Sequence, residues 1–393
     1  MEFKRSKRLE VLPPYLFAEI DRKKKAAIAA GRDIINLGIG DPDRPTPDFI
    51  IEELGRAASE AKNHRYALDL GLPELRLAFS QWFEKRFGVL LDPESEILPL
   101  IGAKEGIAHL PLSLINPGDV VLIPEPCYPP YVSGTIFAGG KPYWLPITSA
   151  NEFLPDLENI PQEVARKARL LYLNYPNNPT AAVADLEFFR SAVDFAGRYE
   201  ILIAQDAAYS EIYFDEPSPS ILQVEGAKEV AVEFHSLSKT FNMTGWRLGF
   251  AVGNASAVKA LSEIKTNIDS GVFQAIQYAG IAAYQGYSRP WRAELLATYR
   301  ARRDALVDGL ESLEWEVLRP RATFYVWIPT PDGFSSVDFA SMLLDKADIV
   351  VTPGIGFGPS GEGFVRAALT VDEERIKEAL RRLPEVVSAL TSS

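Results

Sequence analysis

Five short apolar runs constrain this chain more than any other feature: VVLIP at 120–124, LLYLNY at 170–175, ILIAQDAAY at 201–209, VEFHSL at 232–237 and LGFAVG at 248–253. They are rich in Val, Ile and Leu and do not alternate with polar residues. Each therefore reads as a strand covered on both faces, which is the habit of a parallel sheet. Segments of helical period lie between them, LEFFRSAVDFAGRY at 186–199 for example. Strand and helix signals in alternation predict an α/β domain, here over about 46–285. The remainder reads differently. A long helix is expected through 291–313, then strand-like WEVLRP (315–320) and TFYVWIP (323–329), then a last helix near 371–390. That order predicts a small α+β domain over 286–393, with the first 45 residues packing beside it as an arm. At 393 residues the chain is long enough for this two-part arrangement.

The polar residues at the end of each run matter most, because ligands of open α/β sheets bind outside the carboxyl ends of the strands. Past 232–237 come Ser236, Ser238 and Lys239, with Arg247 eight residues later. Two hydroxyls, a guanidinium fork and loop amides suit a phosphate. A lysine beside such positive charge, if shielded from water, sheds its proton easily, and a neutral amine can form a Schiff base. Asp206 ends the 201–209 run, and a buried acid there needs a cationic partner. A protonated pyridine nitrogen is such a partner, and Tyr209 lies within reach of a ring oxygen. Asn178, in LNYPNNPTAA, offers a donor and an acceptor at a third strand end. Gly102, Ala103 and Lys104 open a helix whose amides suit phosphate. Singly, each has a plain alternative: a surface lysine, a helix-capping Asp, a β-turn, a strand-to-helix turn. Together and in this order they point to one ligand.

The order GAKEG, NNPT, DAAY, SLSK, with Arg eight residues past the lysine, resembles the class I/II aminotransferases, which are pyridoxal-phosphate enzymes of fold type I. The likeness runs from NLGIGDPD to FVRAALT. It implies a large domain with a mostly parallel sheet between helices and a small α+β domain. It also implies roles. Lys239 would hold the cofactor and shuttle the proton of the 1,3-shift. Asp206 would pair with the pyridine nitrogen, and Asn178 and Tyr209 with the 3′-oxygen. Tyr128 would stack on the ring. Ala103, Lys104, Ser236, Ser238 and Arg247 would hold the phosphate. Tyr66 would reach the phosphate of a partner subunit, implying a homodimer with shared sites. Arg366 would clamp the substrate α-carboxylate, and Gly40 would let backbone approach the substrate.

Within the family the motifs are most similar to those of LL-diaminopimelate aminotransferases. That likeness implies Tyr15 and Lys104 near the substrate, and makes Asp69 of the partner a candidate for the distal amine. The expected substrates are amino acids and 2-oxo acids. Two departures stand out. Ala181 replaces the glycine usual after N-P-T, at a cost of ~1 kcal/mol if that turn needs a positive φ. Ala103 replaces a Ser or Thr and removes one hydroxyl from the phosphate loop.

The rest of the sequence excludes more than it adds. A net charge of −12 argues against a nucleic-acid partner. The apolar stretches fall short of a membrane span. Three scattered histidines (His64, His109, His235) give no metal-ligand spacing. GIGDPD and GIGFGP lack the pattern of a dinucleotide loop. The single cysteine, Cys127, fits a cytoplasmic protein and reads as a small residue beside the ring.

Overall fold

The computed structural model describes residues 1, 3–12, 18–67 and 70–391. Its strands, in chain order, are β1 (Ile35–Asn36), β2 (Ile97–Leu100), β3 (Val120–Glu125), β4 (Lys141–Pro146), β5 (Ala168–Asn174), β6 (Leu202–Asp206), β7 (Ala231–Ser236), β8 (Gly249–Gly253), β9 (Tyr325–Pro329), β10 (Ile349–Val350), β11 (Thr352–Pro353) and β12 (Phe364–Ala368). Seven of them form one sheet in the order β2-β8-β7-β6-β5-β3-β4.

All five apolar runs lie in this sheet, and the period-2 geometry of a strand explains their composition. Along β7, Val232 and Phe234 face a cluster with Leu110, Val121 and Ala204. Ala231 faces the opposite cluster, which holds Phe79, Phe83, Leu171 and Phe250. With helices on both faces neither side is solvated, and even the polar pair on the Ala231 face of β7, Glu233 and His235, is buried and bonded to itself (2.6 Å). The helix Leu186–Tyr199 starts where Asp185 accepts a hydrogen bond from the Phe188 amide (2.8 Å). Such an N-cap satisfies a donor that the first turn leaves free.

The run at 248–253 departs from the parallel expectation: β8 is antiparallel to both β7 and β2. A parallel return needs a crossover of a dozen or more residues, usually helical, that carries the chain back along the sheet. The excursion from Leu237 to Leu248 stays at one end of the sheet and turns straight back. It thereby leaves Lys239 and Arg247 at the same end. The expected strand at 315–320 also fails to form, although TFYVWIP does yield β9. Pro320 has no N–H to give a ladder, and Trp315 bonds through its indole to the Pro329 carbonyl (3.0 Å) rather than through its backbone.

A second apolar cluster lies around the antiparallel sheet β11-β12-β9. The helices Trp291–Glu311, Ser336–Ala347 and Glu373–Thr391 cover it. Tyr209, Ile212 and Phe214, from the loop after β6, join this cluster. Strand β1 pairs in parallel with β10, and Asp33 bonds Arg375 and Arg382. Past β1 the chain crosses the carboxyl end of the large sheet, and Asp43 takes a two-pronged bond from Arg302 (both 2.7 Å). Among the described residues no helix is long and apolar enough to cross a membrane.

Ala181 has φ 61°, so the turn does need the left-handed region. The turn is closed by bonds from Ala181 N to the Asn177 carbonyl (3.0 Å) and from Asn177 N to the Ala182 carbonyl (2.8 Å). Replacement by glycine (A181G) removes the Cβ clash and leaves those bonds intact. It is expected to stabilise the protein by about 0.5–1 kcal/mol, read as a higher denaturant midpoint at unchanged slope. A lower midpoint would mean that the buried methyl contributes more than the strain costs.

Candidate active site

One cavity of about 470 Å³ opens at the carboxyl ends of the large sheet. It gathers Gly40, Ala103, Lys104, Tyr128, Asn178, Asp206, Tyr209, Ser236, Ser238, Lys239, Arg247 and Arg366. Tyr66 is not among its walls and is 88% exposed. Tyr15 and Asp69 lie outside the described residues. Cys127 corrects its expectation: it does not line the cavity but is buried in the cluster beneath, its amide bonded to the Phe357 carbonyl (2.8 Å). The outward turn of the chain after β3 presents Tyr128, not Cys127, to the pocket.

Lys239 sits in the helical turn Leu237–Thr240 that follows β7, and its Nζ donates to the Gly40 carbonyl (2.9 Å). Burial lowers its pKa to about 8; Asp41 opposes that fall, while Arg366 and Arg247 add to it. The amine is thereby readied to act neutral near physiological pH. Gly40 has no room for a side chain, since a Cβ would run into the Tyr325 hydroxyl.

Asp206 ends β6 and is 5% exposed. Its Oδ2 accepts from the Tyr131 hydroxyl (2.8 Å) and its Oδ1 from the Ala208 amide (3.1 Å). Burial pushes the carboxyl up to about 6, against the pull of those two bonds. Asn174 bonds the Asp206 carbonyl (2.7 Å) and, through Oδ1, the Asn178 amide (2.8 Å). Two adjacent strand ends are so tied together. The Tyr209 hydroxyl shares a hydrogen bond with that of Tyr325 (2.9 Å).

Arg366, on β12, donates from Nη1 to Asn178 Oδ1 (2.7 Å) and from Nη2 to the Gly38 carbonyl (2.9 Å), while its buried Nε has no partner. Its guanidinium lies between two rings, 4.2 Å from the centroid of Tyr325 and 4.8 Å from that of Phe357. On the far side, the helix Ala103–Leu114 points its N-terminus into the cavity, where its first amides have no intrahelical acceptor. A Cβ on Gly102 would run into the Arg247 guanidinium, so the loop is closed tightly on that cation. Arg247 reaches Ser238 Oγ at 3.5 Å.

These features fit pyridoxal phosphate. A buried acid without a full counter-charge suits a pyridinium, and a helix N-terminus with two serines and an arginine suits a phosphate. An amine of lowered pKa suits an aldehyde. The residues that sequence reasoning missed are Tyr131, Asn174, Tyr325 and Phe357, which support the groups it found. Tyr131 was the most legible, since it stands three residues past Tyr128, in the first turn of the helix Pro130–Phe137.

Fold and site together define a pyridoxal-phosphate enzyme of fold type I. Residues 32–383 match the family described as "Aminotransferase class I and II", and the chain belongs to that family. It is 53% identical over 384 residues to the LL-diaminopimelate aminotransferase of Syntrophobacter fumaroxidans, covering 98% of this chain and 99% of that protein. It is also 53% identical to the LL-diaminopimelate aminotransferase of Desulforudis audaxviator, over 392 residues and 100% of both. Among solved structures it is similar to substrate-bound BacF from Bacillus subtilis, with 39% identity, a TM-score of 0.93 and 98% of each chain covered.

Tyr131 offers a direct test of the acid's environment. Burial and the nearby Asp206 hold its own proton well above the usual range, so it remains a donor. In Y131F the carboxyl should be protonated at higher pH than in the parent. Near pH 7 the apo-protein should bind pyridoxal phosphate roughly tenfold more weakly, from a lost bond to a charged group of about 1.5 kcal/mol. At pH 5, where the acid is protonated in both proteins, the difference should shrink. Titration across pH 5–8 checks this, and an equal loss at every pH would assign Tyr131 to packing alone.

Proposed function

We propose that this aminotransferase interconverts LL-2,6-diaminopimelate plus 2-oxoglutarate with tetrahydrodipicolinate plus glutamate, a step of lysine biosynthesis. The observation that carries the reading is the likeness, at 50–54% identity over nearly whole chains, to proteins named LL-diaminopimelate aminotransferase. The pocket chemistry supports it. The substrate is a dicarboxylate, and Lys104 lines the cavity apart from the Arg366 fork.

In this reading Lys239 holds the cofactor covalently through Nζ. Asp206 holds the ring nitrogen, Asn178 and Tyr209 the 3′-oxygen, and Tyr128 one face. Ala103, Lys104, Ser236, Ser238 and Arg247 hold the phosphate. When bound, pyridoxal phosphate supplies a ring that withdraws electrons from the substrate α-carbon. Arg366 swings its fork from Asn178 and Gly38 to the α-carboxylate and fixes the α-carbon beside Lys239. Lys239 Nζ, released from the cofactor when the substrate amine replaces it, would take the α-proton as general base and return it as general acid at the other end of the 1,3-shift. Gly40 brings its carbonyl close to that amine and orients it. Tyr15 and Lys104 lie near the distal half of the substrate, and Asp69 of the partner takes the distal ammonium.

The same reading makes the active protein a cytoplasmic homodimer. Exposed Tyr66 reaches the partner's phosphate site. The chain divides into an arm (1–45), a large cofactor-binding domain (46–285) and a small domain (286–393), a division supported by the core cluster drawn mainly from residues 295–386.

Single-turnover spectroscopy tests the substrate. Holoenzyme mixed with LL-diaminopimelate should convert from the aldehyde-derived to the pyridoxamine form, and faster than with aspartate, alanine, methionine or an aromatic amino acid. Lys239→Ala should lose roughly 10²–10⁴-fold or more in that rate. Conversion by aspartate or alanine but not by LL-diaminopimelate would rule out the substrate assignment and leave the aminotransferase assignment standing.

A further inference from the structure

Glu125 ends β3, is buried, and takes no part in the chemistry above. Its Oε2 accepts from both the amide (3.2 Å) and the hydroxyl (2.7 Å) of Ser360. Ser360 belongs to the segment between β11 and β12, two short 3₁₀ turns at Gly354–Phe357 and Pro359–Gly361. A third bond joins the same two regions two residues on, from the Cys127 amide to the Phe357 carbonyl (2.8 Å). The last residues of β3, in the seven-stranded sheet, thus grip a loop of the three-stranded sheet.

That loop carries Phe357, whose ring lies over the Arg366 guanidinium and lines the cavity. The opposite wall of the sandwich, Tyr325, is fixed independently by its place on β9 and its bond to Tyr209. Phe357 has no strand to hold it. Its position is set by the loop, which is held at one end by the Cys127 amide and the Trp327 ring and at the other by Glu125. A guanidinium flanked by two rings is shielded from water and held in one orientation, so less is lost when it binds a carboxylate.

We propose that Glu125 and Ser360 are positioning residues for the substrate-carboxylate clamp: their bond holds Phe357 against Arg366 and keeps the fork dry and aimed. The proposal rests on the reading of Arg366 as that clamp.

The test is steady-state kinetics of cofactor-loaded holoenzyme with an amino donor and 2-oxo acid that the parent turns over. Ser360→Ala removes one donor of the tie and adds no bulk. It should raise KM roughly 5- to 10-fold for both substrates while kcat changes less than twofold. Ser360→Thr, which keeps the hydroxyl, should restore KM. Glu125→Gln should act in the same direction, and the double variant should be no worse than Glu125→Gln alone, because both break one tie. An unchanged KM in soluble, loaded Ser360→Ala, or a fall in kcat without a rise in KM, overturns the proposal. Should Glu125→Gln fail to fold, Ser360→Ala and its threonine rescue decide alone. Arg366→Lys is the control. If it leaves KM unchanged, the clamp reading itself falls; if it raises KM and Ser360→Ala does not, only the positioning role falls.

Discussion

The site is organised by a carboxylate shut away from water at the end of β6. Burial alone costs a charge several kcal/mol, and Asp206 has only two neutral donors to offset it. The consequence is the upward push of its pKa, which marks the group as incomplete in the protein alone. In the proposed reading a pyridinium would complete it, and the pairing would work in both directions: the acid would hold the proton on the ring nitrogen, and the cation would keep the acid ionised. The Tyr131 hydroxyl and the Ala208 amide aim the carboxylate beforehand, so the cofactor meets an oriented charge and not a mobile one.

The placement of that acid depends on the sheet. Strands β5, β6 and β7 run parallel and end together, which brings Asn174, Asp206 and Ser236 to one edge. Reversal into β8 then keeps the Lys239 turn and Arg247 there, at the one place where the parallel rule is broken. A parallel β8 would have begun at the far end of the sheet, taking the guanidinium away from the helix N-terminus at Ala103. The phosphate cradle and the reactive amine are neighbours because the chain doubles back between them.

Much of this was legible because strand ends carry their chemistry in order along the sequence. Uninterrupted apolar runs marked the strands, and the polar residue after each run marked the site. Lys239, Asp206, Asn178 and Arg247 were read this way, and Arg366 through family likeness, and all five line one cavity. What stayed hidden was whatever a distant segment contributes. Tyr325 and Phe357 reach the cavity from beyond residue 320, and nothing in TFYVWIP or GIGFGP says that a tyrosine and a phenylalanine will bracket a guanidinium. The antiparallel turn of β8 was hidden for a related reason: a fully buried strand has the same composition in either direction. The strand-like composition of 315–320 misled because it suits an extended chain, whereas a strand also needs a partner with free N–H and C=O groups.

The two cations that the chemistry requires are both held by carbonyls of the crossing segment, Arg366 by Gly38 and Lys239 by Gly40. A carbonyl is a dipole, so it can fix the direction of a cation without neutralising it. The bond it makes is weaker than one to a carboxylate, because the carbonyl oxygen carries only a partial charge. In the proposed reading an arriving carboxylate would therefore displace Gly38 from the fork at a net gain, and Lys239 would leave Gly40 without having to break a direct ion pair. Had an aspartate stood at either place, the same geometry would have cost the full separation of a partly buried pair, several kcal/mol. Segment 38–43 can serve in this way only if it stays put. The Thr370 hydroxyl on the Ile39 carbonyl (2.6 Å) and the Arg302 fork on Asp43 anchor it from the side away from the cavity. The direct ion pair is thus kept to the outer side of the segment, where nothing has to move; on the inner side the two cations are held by carbonyl bonds, and the carboxylate of Asp41 acts on Lys239 through its field.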